Sequence, residues 1–265
     1  MNRSTSTTGD THATMRNIPV HPLRALTPPG LRAGVLVALA LLSAACSDSA
    51  SRMLSSPLIS SSAKSPSAAV SNFTVLAKTA VTCTGGTIAG DVGTFVAAPT
   101  GSVTQTGCPV TGQLRVGDEA AIPAFNDFLS TYAARAPKPE DCTTLTGTLA
   151  ARTLSPGSYC FDAAATLTGV VTLDGPSDGV WNFNIGTSGV GALTGTGFSV
   201  VMAGGGQACN VTWLVADAAT MTDSNLVGKV LAGAGITLTR GTFRGNASAK
   251  ADATITGTAV TGCAS

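Results

Sequence analysis

The sequence predicts a mostly β chain wound as a solenoid, with one long helix laid along its side. Three observations carry this reading. Over residues 219–262 the chain repeats every 17 residues, with Thr-x-Thr at Thr220/Thr222, Thr237/Thr239 and Thr254/Thr256 and glycine at Gly228, Gly245 and Gly262. A short fixed period of this kind marks rungs stacked one on the next. Strand-like runs broken by Gly, Pro and Asp fill most of the chain from residue 73 onward, and one stretch, 118–135, switches to a helical period.

The chain opens on material that is not part of that fold. Residues 1–32 carry Arg3, Arg16, Arg24 and Arg32 against one acid, Asp10. An apolar run over 33–42 and then Ser43-Ala44-Ala45-Cys46 follow. A basic region, a short apolar core and small residues predict a secretory signal over 1–45, too short to span a membrane. Met15 is an alternative start. The run L-L-S-A-A-C resembles a bacterial lipobox, with Ser43 where leucine is usual and Leu42 one place earlier. That resemblance implies lipidation of Cys46 and an exported, cell-envelope lipoprotein; plain cleavage would give a secreted protein. Residues 46–72 are rich in Ser, Ala and Pro and read as a flexible tether, which leaves 73–265 as the folded domain.

Within the domain, residues 73–116 alternate Val81, Cys83, Ile88 and Val92 with Thr and Gly, as short half-buried strands do. Between 118 and 135, Ile122, Phe125, Leu129 and Tyr132, with Phe128 beside them, fall on one helical face. Asp118 can cap this helix, Pro123 suits only a first turn, and Pro137 and Pro139 end it. Strand character returns from 143. Trp181, Phe183 and Ile185 share one strand face, as do Trp213 and Val215, and all five are expected in the core. In the 17-residue frames, Met221, Leu238 and Ile255 point inward and the flanking threonines outward.

Seven cysteines are present, and setting Cys46 aside leaves Cys83, Cys108, Cys142, Cys160, Cys209 and Cys263. An even set in an exported chain reads as disulfides. Fifteen pairings of six cysteines are possible and the sequence does not choose; chain order, Cys83 with Cys108, Cys142 with Cys160 and Cys209 with Cys263, is the working expectation. No C-x-x-C occurs, which speaks against a thiolate metal site.

Composition narrows the function. From residue 46 onward, 11 Lys/Arg face 13 Asp/Glu, sparse and scattered, with no basic stripe for nucleic acid. Both histidines, His12 and His21, lie in the leader. Histidine-dependent nucleophiles and histidine metal sites are thereby excluded from the domain. Asp118/Glu119 and Glu140/Asp141 are adjacent pairs flanking the helix, unlike glycosidase acids that face each other across a substrate. No catalytic residue, cofactor or metal is expected.

Four phrases in order, A-V-T-C-T-G-G-T-I-A-G-D-V-G at 80–93, L-S-P-G-S-Y-C-F at 154–161, G-V-W-N-F-N-I-G-T at 179–187 and A-T-M-T-D-S-N-L-V-G-K-V-L-A-G-A-G-I-T-L-T at 219–239, resemble the large microbial ice-binding (antifreeze, ice-structuring) protein family. The resemblance runs from about residue 74 to 263. It implies a right-handed, discontinuous β-solenoid of triangular section, with N-terminal strands stacked among C-terminal ones and the helix along one side. It also implies adsorption to ice through one flat face; a monomer is expected.

The first candidate for that face is the pair of columns Thr220, Thr222, Thr237, Thr239, Thr254 and Thr256. The alternative is the following strand of each rung, with Ser224, Thr242, Thr258 and Thr261, where Lys229 and Arg244 make the surface less uniform. Threonine is favoured on any exposed strand, so a Thr column alone does not specify a ligand. The competing function is a surface adhesion module that holds a polysaccharide or other matrix on the same flat face. Carbohydrate platforms usually display aromatics, and this chain has two Trp and two Tyr.

Overall fold

The structure, a computed structural model, describes residues 73–135 and 142–263. The expected signal, Cys46 and the tether lie outside these residues. The first coils comprise β1 (Phe73–Ala77), β2 (Ala80–Thr84), β3 (Thr87–Ala89), β4 (Asp91–Thr94), β5 (Ser102–Thr106) and β6 (Leu114–Val116). After α1 (Ala121–Ala134) come β7 (Thr143–Thr144), β8 (Thr148–Leu154), β9 (Gly157–Phe161), β10 (Ala165–Asp174) and β11 (Trp181–Ile185). Next follow β12 (Leu193–Thr196), β13 (Ser199–Ala203), β14 (Val211–Val215) and β15 (Ala219–Val227). The chain closes with β16 (Lys229–Ala232), β17 (Ile236–Arg244), β18 (Ala247–Ala249) and β19 (Ala253–Thr261).

All strand pairings are parallel and fall into two sheets. The first has nine strands in the order β6-β4-β1-β18-β16-β14-β11-β9-β7. The second is built around β12-β10-β13-β15-β17-β19-β2-β5, with β3 added on β19 and β8 on β10. Its long strands do not run straight. Asp223, Arg240 and Gly257 have φ of 50°, 56° and 62°, a left-handed step that turns the chain and divides the sheet into two strips. Each coil therefore lays one strand in the first sheet and one segment in each strip.

The coils are not stacked in chain order. β1 pairs with β18, and β2 and β3 pair with β19, so the N-terminal coils continue the C-terminal stack. Asn246 Nδ2 donates to the carbonyl of Phe73, and the Ala80 amide donates to Asp252 Oδ1, tying the first of these coils to the last. The stack is thus discontinuous, as the family resemblance implies.

Inward residues form one continuous core. Val81, Cys83, Ile88 and Val92 are at most 1% exposed, and Met221, Leu238 and Ile255 at most 3%. Trp181, Phe183, Ile185, Trp213 and Val215 are buried, as their alternation predicts. Phe183 stacks between Tyr159 and Trp213, with ring centroids 5.3 and 4.0 Å away. The indoles of Trp181 and Trp213 are satisfied by the carbonyls of Leu154 and Val227.

The helix docks on the outer side of the first sheet, against Phe73, Leu76, Leu214 and Leu231. Its buried face is Ala121, Ala124, Phe125 and Phe128, with Leu129 and Tyr132 half-buried, whereas Ile122 is 37% exposed. The expected stripe through Ile122 is thus rotated by about one residue: the small side chains of Ala121 and Ala124 let the helix axis approach the leucines. The Asp118 carboxylate accepts the amides of Ala120 and Ala121, so it caps the helix from one turn earlier. Partial burial works to raise the Asp118 carboxyl, but the Ala121 and Ala120 amides and the Arg115 guanidinium together hold it below its ordinary value. At the far end, Tyr132 donates to the carbonyl of Val215 and carries Lys250 over its ring face.

Disulfides join Cys83 to Cys108, Cys142 to Cys160 and Cys209 to Cys263, each with Cα atoms 5.7–5.8 Å apart.

Candidate functional site

The first strip of the second sheet carries a threonine array far longer than the three repeats that reveal it. Register places Thr220, Thr237 and Thr254 side by side, with Thr222, Thr239 and Thr256 in the parallel column. In one direction the columns continue to Thr82 and Thr84 on β2, then to Thr104 and Thr106 on β5. In the other they reach Thr194 and Thr196 on β12, then Thr166 on β10 and Thr148 on β8. Thr168 takes the next outward place on β10 and faces Ala150 on β8. Eight rungs with two outward places each thus present threonine everywhere except Ala150.

Every one of these side chains is half-buried or exposed, and none is charged. Between them lie the inward residues Leu149, Leu167, Gly195, Met221, Leu238, Ile255 and Cys83, all buried. At rung spacings of about 4.8 Å and i, i+2 spacings of about 6.6 Å, the grid extends roughly 34 Å by 7 Å. Its hydroxyls are mostly left for solvent: the array contains one pairing between side chains, Thr166 with Thr194 at 3.3 Å.

One edge of the grid is a column of left-handed residues. Gly85, Gly107, Gly169, Gly197 and Gly257 occupy it with φ of 58–63°, and Ala151, Asp223 and Arg240 occupy it with φ of 48–56°. Glycine takes this conformation without the Cβ clash that other residues suffer, which explains Thr-x-Thr-Gly in five of the eight rungs. Asp223 and Arg240, on adjacent rungs, form a two-pronged ion pair. The hydrogen bond from Arg240, with its charge, holds the Asp223 carboxyl below its ordinary value. This pair lies in water and is a weak contributor to stability.

The second strip is built differently. Across the corner the alternation slips by one place. Ser224 and Thr258 therefore turn inward, at 4% and 2% exposure, and donate to the carbonyls of Thr222 and Thr256. Neither can meet a ligand, and of the four residues expected there only Thr242 and Thr261 reach the surface. Val170, Val201, Asn225, Arg244 and Ala259 share that surface with them. Its polar groups are also spent on one another: Thr242 donates to Asn225, and Asn225 donates to Ser199.

Nothing else among the described residues has the form of a chemical site. No group of three or more His, Cys, Asp or Glu is placed to hold a metal there. A hollow of about 320 Å³ lies beneath Tyr132, between Leu214 and the Gly186–Gly189 turn, and carries no charged side chain in its lining. Trp181 and Trp213 are buried, and Tyr132 and Tyr159 half-buried, so no Trp or Tyr platform is displayed.

The grid residues outside the 17-residue repeat do not stand out in the sequence, because insertions separate them. Their signal is nonetheless present as Thr82-Cys-Thr84-Gly85, Thr104-Gln-Thr106-Gly107, Thr166-Leu-Thr168-Gly169 and Thr194-Gly-Thr196-Gly197.

Comparison with known proteins agrees with this architecture. The Ice-binding-like family matches residues 75–261. An ice-binding protein of Nostoc sp. (strain HG1) is 35% identical over 181 residues, covering 64% of this chain and 63% of that protein. An ice-binding protein of Flavobacterium frigoris (strain PS1) is 31% identical over 185 residues, covering 63% and 64%. The chain therefore spans slightly less than two thirds of the length of these two relatives. The crystal structure of an ice-binding protein from the Antarctic ascomycete Antarctomyces psychrotrophicus superposes with a TM-score of 0.66 at 33% identity, over 75% of this chain and 98% of that one. With parallel coils, a helix docked on the first sheet and a family match across nearly all the described residues, this chain belongs to the Ice-binding-like family.

Proposed function

We propose that this protein adsorbs to ice through the threonine grid of the first strip, slowing ice growth and recrystallisation. The observation that carries the reading is the uninterrupted run of eight rungs whose paired outward places carry no charge, threonine at all but one of them. Each threonine offers a hydroxyl that bonds water and a methyl that water hydrates poorly. A stiff two-column array holds such groups at fixed spacings, so water ordered along it can join a crystal lattice, and many weak contacts act together. Stiffness matters because a mobile surface would lose conformational entropy on contact. Ice growing between adsorbed molecules becomes curved, which depresses freezing locally. No bond is made or broken, and the reading is non-catalytic.

The same reading takes the coils as a right-handed solenoid of triangular section and the protein as a monomer. It places the protein outside the cell, either released or held through a lipid on Cys46 with 46–72 as the tether. The second strip is the weaker candidate, because its outward groups are mixed and bond one another.

The test is ice-growth inhibition in a nanolitre osmometer, wild type beside the double variant Thr237→Tyr, Thr239→Tyr. Two rings in the middle of the grid should abolish crystal shaping and the freezing gap while circular dichroism stays unchanged. A gap that survives in the variant would move the face to the second strip. Well-folded wild type with neither gap nor shaping would overturn ice binding and leave matrix adhesion as the function to pursue.

A further inference from the structure

One of the two terminal rungs of the grid, Thr104 and Thr106, belongs to the coil at that end of the described stack, residues 102–116. Among the described residues β5 pairs on one side only, with β2. Little burial holds this coil. Val103 and Val110 are half-buried, Leu114 is 46% exposed, and the exposed Gln105 stands in register with Cys83, where the inner rungs bury Ile255, Leu238 and Met221. Among the side chains of 102–116, Cys108 alone is fully buried, at 4%. The preceding coil, by contrast, buries Val81, Cys83, Ile88 and Val92. Cys83 sits between Thr82 and Thr84, and its sulfur is bonded to Cys108, two residues past Thr106.

We propose that the Cys83–Cys108 disulfide is a positioning element of the ligand face, holding the terminal coil in register so that Thr104 and Thr106 extend the two columns. The proposal rests on the reading of the grid as the ice-adsorbing surface. An edge strand with few buried contacts opens locally at small free-energy cost. A covalent link to the neighbouring rung confines that opening to excursions too small to break the register. Without the link the rung would be lost to any rigid periodic ligand, because ordering it would have to be met from the binding free energy. Gln105 complements the bridge by keeping the open end of the stack polar, which discourages a further strand from adding there.

The test is a double-mutant cycle with two readouts. One arm is Cys83→Ala with Cys108→Ala, the second is Thr104→Ala with Thr106→Ala in the bridged protein, and the third combines them. Amide hydrogen exchange is read over 102–106 and over 219–261, and the freezing gap is read beside it. Opening the bridge should speed exchange in 102–106 at least tenfold while 219–261 keeps its protection. The freezing gap should fall to that of the threonine arm, and the combined variant should fall no further. Unchanged protection over 102–106, or gap losses that multiply in the combined variant, would overturn the proposal. Were the wild type to show no gap, the ice reading would fail while the exchange readout still decided the positioning role. If the alanine pair does not fold, Cys83→Val with Cys108→Ala keeps a branched side chain in the core and replaces it.

Discussion

Leu238→Ala separates what holds the grid up from what the grid does. Leu238 is 3% exposed and lies directly between Thr237 and Thr239, its strand register matching Met221 on one side and Ile255 on the other. Truncation removes three carbons, a transfer loss of about 2.4 kcal/mol at 0.8 kcal/mol per carbon. A cavity adds to this wherever the surroundings cannot collapse. Here both neighbouring strands are fixed by parallel ladders, so the total should lie in the upper half of the measured range, about 4 kcal/mol. For a domain of roughly 150–250 residues that lowers the melting temperature by about 8–16 °C. The assay is calorimetry with circular dichroism, followed by osmometry near 0 °C, where the variant remains folded. Crystal shaping should survive, because no outward group has changed. A melting shift under about 3 °C would refute the claim that the rungs are rigid spacers. Lost shaping in fully folded variant would refute the division between core and face.

Two further outcomes follow from local geometry. Ala151 takes the left-handed corner conformation at φ 48° where five other rungs use glycine, so Ala151→Gly should stabilise by about 0.5–1 kcal/mol in chemical denaturation. The Asp118 carboxyl lies below its ordinary 3.8 when folded, so its cap stabilises above that pH and is lost as pH falls through the lower folded value. Asp118→Ala should therefore cost about 1 kcal/mol at neutral pH, and Asp118→Asn should flatten the fall in melting temperature below pH 4.

Much of the fold is legible in the chain, and the places where it is not have physical causes. Alternation alone places Met221, Leu238 and Ile255 in the interior, since nothing interrupts a period of two within a straight segment. The same rule failed at Ser224 and Thr258 because a left-handed residue intervenes, and one unpaired step reverses the sides that follow. The helix was evident from its aromatics, but its phase was not. Ala121 and Ala124 carry no visible hydrophobic weight and yet occupy the closest contacts, leaving Ile122 outside. The 17-residue period reveals three rungs of eight, because the helix, the 207–210 turn and the long corners separate the other Thr-x-Thr motifs. The coil order was reached through the family phrases; no local pattern says that β2 lies on β19.

That order has a consequence for when the fold can form. Phe73 and Ala80 find their hydrogen-bonding partners at Asn246 and Asp252, 173 and 172 residues later. The first coils lie on one another, β1 on β4 and β2 on β5, but the strands that join them to the rest of the stack, β18 and β19, are made last. Closing the stack therefore waits on β18 and β19, and such distant pairing is intrinsically slow. The stack has a seam at which strands made first meet strands made last.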